Sequence, residues 1–220
     1  LVVRGKSGLS NVEEPAMIER NVGTDFSAGG ILPAVDKTAY VHPLAAVIGA
    51  VRLGRNVMVA PGASVRADEG QPFFIGDDAN IQDGVVIHAL ETELAGQPIP
   101  ANRVTVDGSD FAVYVGKRVS LAHQAQLHGP CEVSDDTFVG MKAFVFRSRV
   151  GSGCVLEPGA MVMGVTIANG RYVPAGSVIR TQAAADALPL ITEDYPMARL
   201  NEGVVHVNVQ LARAYRERDK

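Results

Sequence analysis

The sequence is short of aromatic residues, of cysteine, of positive charge and of long apolar runs. Phe, Trp and Tyr make up 5% of the chain and Trp is absent. With a net charge of −4 and no basic patch interleaved with aromatics, no nucleic-acid partner is expected. No apolar stretch approaches the ~20 residues that a membrane-crossing helix requires, so no membrane span is predicted. Two cysteines, Cys131 and Cys154, do not make a disulfide framework. At 220 residues the length suits one domain with an appendage. The chain begins at Leu1 and shows no signal peptide. The expectation is a soluble protein, periplasmic or extracellular if a leader has been removed and cytoplasmic otherwise.

What the sequence has instead is a period. Val115, Leu121, Leu127, Val133, Val139 and Val145 recur at strict six-residue intervals. Upstream the register runs through Val41, Val47, Leu53, Val59 and Val65, then, after a four-residue insertion, Ile75, Ile81 and Ile87. Downstream it runs through Val150, Leu156 and Val162, then Ile167, Val173 and Ile179. Six fits neither the helical period of about 3.6 nor the strand period of 2. It fits a coil made of three short strands, each pointing one branched aliphatic inward. The fourth residue after each aliphatic is usually small, as with Ala45, Ala63, Ala79, Ala125, Cys131, Thr137, Ala143 and Ala160, which suits a narrow interior. Cys131 and Cys154 occupy this slot and are expected to be inert. The pattern resembles the hexapeptide-repeat, left-handed parallel β-helix: an all-β solenoid of about seven coils.

Residues 1–30 are polar and Gly-rich and read as an N-terminal arm, with a short helix around Glu13 to Arg20. Residues 31–182 form the solenoid. A long loop over residues 89–112 interrupts it after His88, and such loops are often functional. Within that loop Asp107-Gly108 predicts a hairpin turn. Residues 183–220 read as a C-terminal helical segment: a short turn at Ala183 to Leu188, then a helix whose start is signalled by Thr192, Glu193 and Asp194 before Pro196. Its apolar stripe is Val204, Val207, Val209, Leu211 and Tyr215, to be packed along the solenoid.

Counting three sides per coil places Val65, Ile87 and Leu127 on one side. The residues after them, Arg66, His88 and His128, form an outward column with neighbours ~4.8 Å apart. That spacing lets His88 and His128 share one metal ion at about 2.0–2.1 Å from each nitrogen. Ile81 and Leu121 share a different side, so Asp83 and His123 form a second column near a corner. His123 is therefore not expected to reach the His88–His128 site of its own subunit. It reaches that site on a neighbour if the columns of two subunits face each other, and Arg66 then meets a neighbour's Asp83. Glu69, Glu91 and Glu93 are by default solvated carboxylates, but Glu91 opens the long loop three residues beyond His88 and is the candidate for moving protons. His42 and His206 read as exposed.

The stretches VRADEG, NIQDGVVIHALE, SLAHQAQLHGP and VGMKAFVF resemble the gamma-class carbonic anhydrases, and the resemblance covers nearly all of residues 31–216. It implies a homotrimer with one divalent metal per interface, Zn²⁺ first, with Fe²⁺ or Co²⁺ as alternatives. It implies His88 and His128 as ligands from one subunit and His123 from the next. Gln82 and Asn80 would hydrogen-bond the metal-bound water, Glu69 would position or protonate substrate, and Glu91 would carry protons to solvent. Asn208, in VVHVNV, matches a polar helix residue near that family's site, and Arg66, Asp68 and Asp83 match its interface salt-bridge set. His206 departs from the pattern, standing where tyrosine is expected. The carboxysomal relatives lack the loop glutamate, so Glu91 favours a working hydratase.

The activity implied is reversible hydration of carbon dioxide to bicarbonate and a proton. Three neutral imidazoles leave the ion's charge uncompensated, which lowers the pKa of bound water from ~15.7 to ~7 and supplies hydroxide for attack on carbon dioxide. Two rival readings are a hexapeptide-repeat acyltransferase on the same solenoid and a non-catalytic scaffold or assembly subunit.

Overall fold

The computed structural model describes residues 16–218. Residues 1–15 of the expected arm, and the last two of the C-terminal segment, lie outside the described residues. Three parallel sheets, of eight, seven and seven strands, form the three faces of a left-handed β-helix. Ile87 pairs with Val65 on one side and Leu127 on the other, Leu121 sits between Ile81 and Val139, and Val115 sits between Ile75 and Val133. The last pairing shows that the loop after His88 replaces no side of the coil. The spacing of six follows from the geometry: two or three residues of strand, then a corner. The corners take left-handed backbone, as at Gly84 (φ 68°), Gln124 (φ 61°) and Lys142 (φ 58°). These three stack along one edge, where Gln124 N–H donates to Asp83 O at 2.9 Å and Lys142 N–H to His123 O at 3.1 Å.

The interior is one column of aliphatics. Val65, Ile75, Ile81, Ile87, Val115, Leu121, Val133, Val139 and Val145 are all fully buried, with Ala63, Ala125, Cys131 and Ala143 filling the space between them. Each large member contributes about 1.5–3 kcal/mol of burial free energy. Cys131 and Cys154 are free thiols inside this core. Burial pushes the Cys131 thiol up to about 12 and raises that of Cys154 as well.

Three sequence expectations need correction. The described part of the helix expected around Glu13 to Arg20 is a strand, Met17–Glu19, paired in parallel with Ala46–Gly49. A lone helix of that length is marginal, whereas the open edge of the first coil offers unpaired backbone groups that a strand satisfies. The C-terminal helix does not begin at Pro196 but spans Leu200–Arg218. Residues 192–199 instead form turns, because Tyr195 is held against the solenoid: its ring stacks on Tyr172 at 4.2 Å and its hydroxyl donates to Glu157 at 2.8 Å. The inward stripe of the helix keeps Val204 and Tyr215 as expected but differs at other positions. Ala212 is fully buried and Tyr215 stacks on Tyr40 at 5.0 Å, while Val207 and Leu211 are exposed in the single chain. The helix lies on the face that carries Ile81 and Leu121. Among the described residues no helix is long and apolar enough to cross a membrane.

The long loop is built from two small hairpins. Val104–Val106 pairs with Ser109–Phe111 around Asp107 (φ 48°) and Gly108 (φ 77°), the pair of left-handed residues a two-residue hairpin turn needs. Glu93–Leu94 pairs with Gln97–Pro98 around Ala95 and Gly96, a turn whose Ala gives no such signal.

Candidate metal centre

His88 and His128 are direct register partners on the adjoining strands Val86–Ala89 and Gln126–Gly129. The alternation of the strand sends Ile87 and Leu127 inward and both imidazoles outward. The rings lie 5.5 Å apart between centroids at 78° to each other, and both side chains are half-buried. Phe146, the next residue in the column, closes the far side of His128 with an edge-on contact at 5.5 Å. Two acids lie beside His88: its Nε2 is 3.2 Å from Asp68 Oδ1 and 3.6 Å from Glu69 Oε2. Asp68 also pairs with Arg66 at 3.3 Å.

His123 is elsewhere, on the corner carrying Gln124, with its Nδ1 3.0 Å from Asp83 Oδ2. Both side chains of that pair are 56% exposed. They form one wall of a cavity of about 620 Å³ between the solenoid and the C-terminal helix, which Gln82, Val207, Asn208 and Leu211 also line. Asn208 Nδ2 donates to Val204 O at 2.9 Å, one helical turn back. Behind them runs a buried chain: Gln82 Nε2 donates to Asn80 Oδ1 at 3.0 Å, and Asn80 Nδ2 donates to Ser120 Oγ at 2.8 Å. Asn80 and Ser120 are wholly inaccessible to solvent. Full satisfaction is what makes such a buried polar chain affordable, and it fixes the direction of the Gln82 amide.

Glu91 opens the loop three residues beyond His88, with a half-buried side chain. Its backbone is strapped: Asn102 Nδ2 donates to Glu91 O at 2.8 Å, Arg103 Nη2 to Thr92 O at 3.1 Å, and Thr92 Oγ1 to Gln71 O at 3.0 Å. His206 is exposed on the C-terminal helix.

One chain thus brings together His88, His128, Asp68, Glu69 and Arg66 in one group, and Asp83, His123, Gln82, Asn80 and Asn208 in another. Among the described residues no set of three His, Cys, Asp or Glu side chains in one chain is arranged to hold a metal ion. Arg66 pairs within its own chain with Asp68, and Asp83 with His123. The donor types fit a divalent transition metal: two outward imidazoles at neighbouring register positions, half-shielded, with a carboxylate at hand to orient one ring. Two participants were missed from sequence. Ser120 was legible, since it is the register partner of Asn80 by the same count that pairs Ile81 with Leu121. Asn102, which holds Glu91, lies in a loop outside the period and gave no signal.

No family model matches the chain. It is 56% identical over 207 residues to a carbonic anhydrase of Methanosarcina thermophila, a match covering 94% of this chain and 84% of that protein. It is 44% identical to a carboxysome assembly protein of Nostoc sp., over 70% of this chain but 26% of that protein. A mitochondrial gamma carbonic anhydrase of Arabidopsis thaliana is 33% identical over 78% of this chain and 54% of its own length. A solved structure of a Bacillus cereus protein named as an acetyltransferase superposes with a TM-score of 0.67 at 19% identity, covering 92% of this chain and 98% of that one, and shares the fold alone. By these relatives, the chain belongs to the gamma-class carbonic anhydrases.

Proposed function

We propose that the protein catalyses the reversible hydration of carbon dioxide to bicarbonate and a proton at a metal centre shared between two copies of the chain. The observation that carries this is the division of the histidines: His88 and His128 are in register on one face, and His123 stands on a different corner. A homotrimer in which each His88–His128 pair meets a neighbour's His123 completes three imidazoles per site, the three protein ligands that a catalytic zinc centre has beside its open position. Zn²⁺ is the first candidate, with Fe²⁺ and Co²⁺ suited to the same ligands. A divalent ion so held supplies Lewis-acid activation of water, lowering its pKa from ~15.7 to ~7.

The rest is done by side chains. Asp68 beside Nε2 of His88 holds that ring in one orientation. The Asn80–Gln82 pair, fixed by Ser120, presents a directed amide at the edge of the groove to which a neighbour's half-site would dock. Glu69, 3.6 Å from Nε2 of His88, would position or protonate substrate. Glu91, with its backbone strapped and its side chain half-buried, would take the proton towards buffer. Arg66, Asp68 and Asp83 would form the charged rim of the interface. The loop glutamate favours turnover over a purely structural role. The test is carbon dioxide hydration by the metal-loaded protein under anaerobic conditions, followed by stopped flow. Turnover that is lost in His88→Ala supports the reading, and a fully loaded protein without turnover overturns it.

A further inference from the structure

A second cavity, of about 460 Å³, opens at the root of the long loop, on the corner after Phe146. Arg103, Arg147 and Arg149 line it together with Ser148, Thr166 and Gln182, and no carboxylate residue is among its walls. On a chain with a net charge of −4, three arginines lining one cavity are not a general surface bias. They come from two separate stretches, so the fold assembles them.

Their charges are unequally compensated. Arg149 pairs with Glu132. Arg147 donates from Nη2 to the neutral Asn102 Oδ1 at 3.0 Å, and Arg103 from Nη2 to a backbone carbonyl, Thr92 O, at 3.1 Å. Among the described residues neither of the two has an acidic partner. Guanidinium forks match the oxygen geometry of phosphate-type anions, and charge-assisted bonds to them are stronger than neutral ones.

We propose that this cavity is a binding site for a small oxyanion of the phosphate type, held by Arg103 and Arg147 with Arg149 at its edge. None of His88, His123 and His128 is among its walls. The cavity adjoins the strapping of Glu91, because Arg147 and Arg103 are also the groups that hold Asn102 and Thr92.

Calorimetric titration of inorganic phosphate into the metal-loaded protein at constant ionic strength tests this. Saturable binding should weaken by about tenfold or more in Arg147→Asn, whose side chain tolerates the left-handed backbone at that corner (φ 50°), and likewise in Arg103→Gln. Phosphate bound to the metal would be left unchanged by both variants. Binding equally tight in both, or no saturable binding at all, overturns the proposal. Crystals of the unaltered protein grown in phosphate give a reading that needs no variant: an anion against Arg103 and Arg147 supports it, and an empty cavity at saturating phosphate refutes it.

Discussion

At the scale of single residues, position in the coil decides chemistry. Ile87 and His88 are adjacent in sequence, yet one is fully buried and the other faces out as a ligand candidate. Cys131 and Cys154 show the inward case. Burial holds the Cys131 thiol at about 12, against an unfolded value near 8.5. The native protein should therefore give no reaction with a thiol reagent at pH 8, and both cysteines should react once it is unfolded. Because the folded value lies above the unfolded one, this group's contribution to stability is complete below pH ~8.5 and is lost as pH rises towards 12. Rapid labelling of native protein would contradict the assignment. Glu91 shows the outward case. If it carries the proton, Glu91→Ala should lower kcat in weak buffer by roughly 10²–10⁴-fold, change kcat/KM much less, and recover with added imidazole. If Glu91 only orders the loop, both parameters fall together and imidazole restores neither. A fully metal-loaded variant with unchanged kcat in weak buffer would remove Glu91 from the mechanism.

At the scale of elements, what repeats was legible and what occurs once was not. The interval of six named every face and placed His88 beside His128, because each coil repeats the same strand and corner. The hairpin at Asp107-Gly108 was readable from its turn residues, but the one at Ala95-Gly96 was not, since alanine rarely takes a left-handed backbone. The strand Met17–Glu19 exists because an open sheet edge needs covering, a demand that comes from Ala46–Gly49 and not from its own sequence. The late start of the final helix is likewise imposed by Tyr195 on Tyr172 and Glu157. That helix carries Asn208 to the groove, so its seating is testable through the site. Ala212 is fully buried against Tyr40, Met58 and Ala60, leaving no room for a larger side chain. Ala212→Leu should cost about 1–3 kcal/mol by urea unfolding and speed amide exchange across 200–218. Unaltered exchange there would mean that the helix is not seated on this face.

At the scale of the whole molecule, the proposed centre divides into two halves that lie on different parts of one chain. The imidazole pair lies on the face of Val86–Ala89, and the lone His123 lies on a corner beside an apolar groove where Val207 and Leu211 stay exposed. A closed ring of three copies, each offering one half to the next, satisfies every half-site, which a monomer cannot do. Sedimentation equilibrium should therefore give a trimer, and a monomer with full metal content would refute the shared centre. A sharper test uses variants. His88→Ala and His123→Ala should each lose metal as pure proteins, because every interface then lacks one ligand. Mixed and allowed to exchange subunits, they should regain some of it. A mixed trimer contains an interface where an intact His88–His128 pair from the His123→Ala chain meets an intact His123 from the His88→Ala chain. Recovery of metal together with hydration activity is the expected result. Its absence, with exchange shown by mass-tagged subunits, would mean that the three histidines do not serve one ion from two chains.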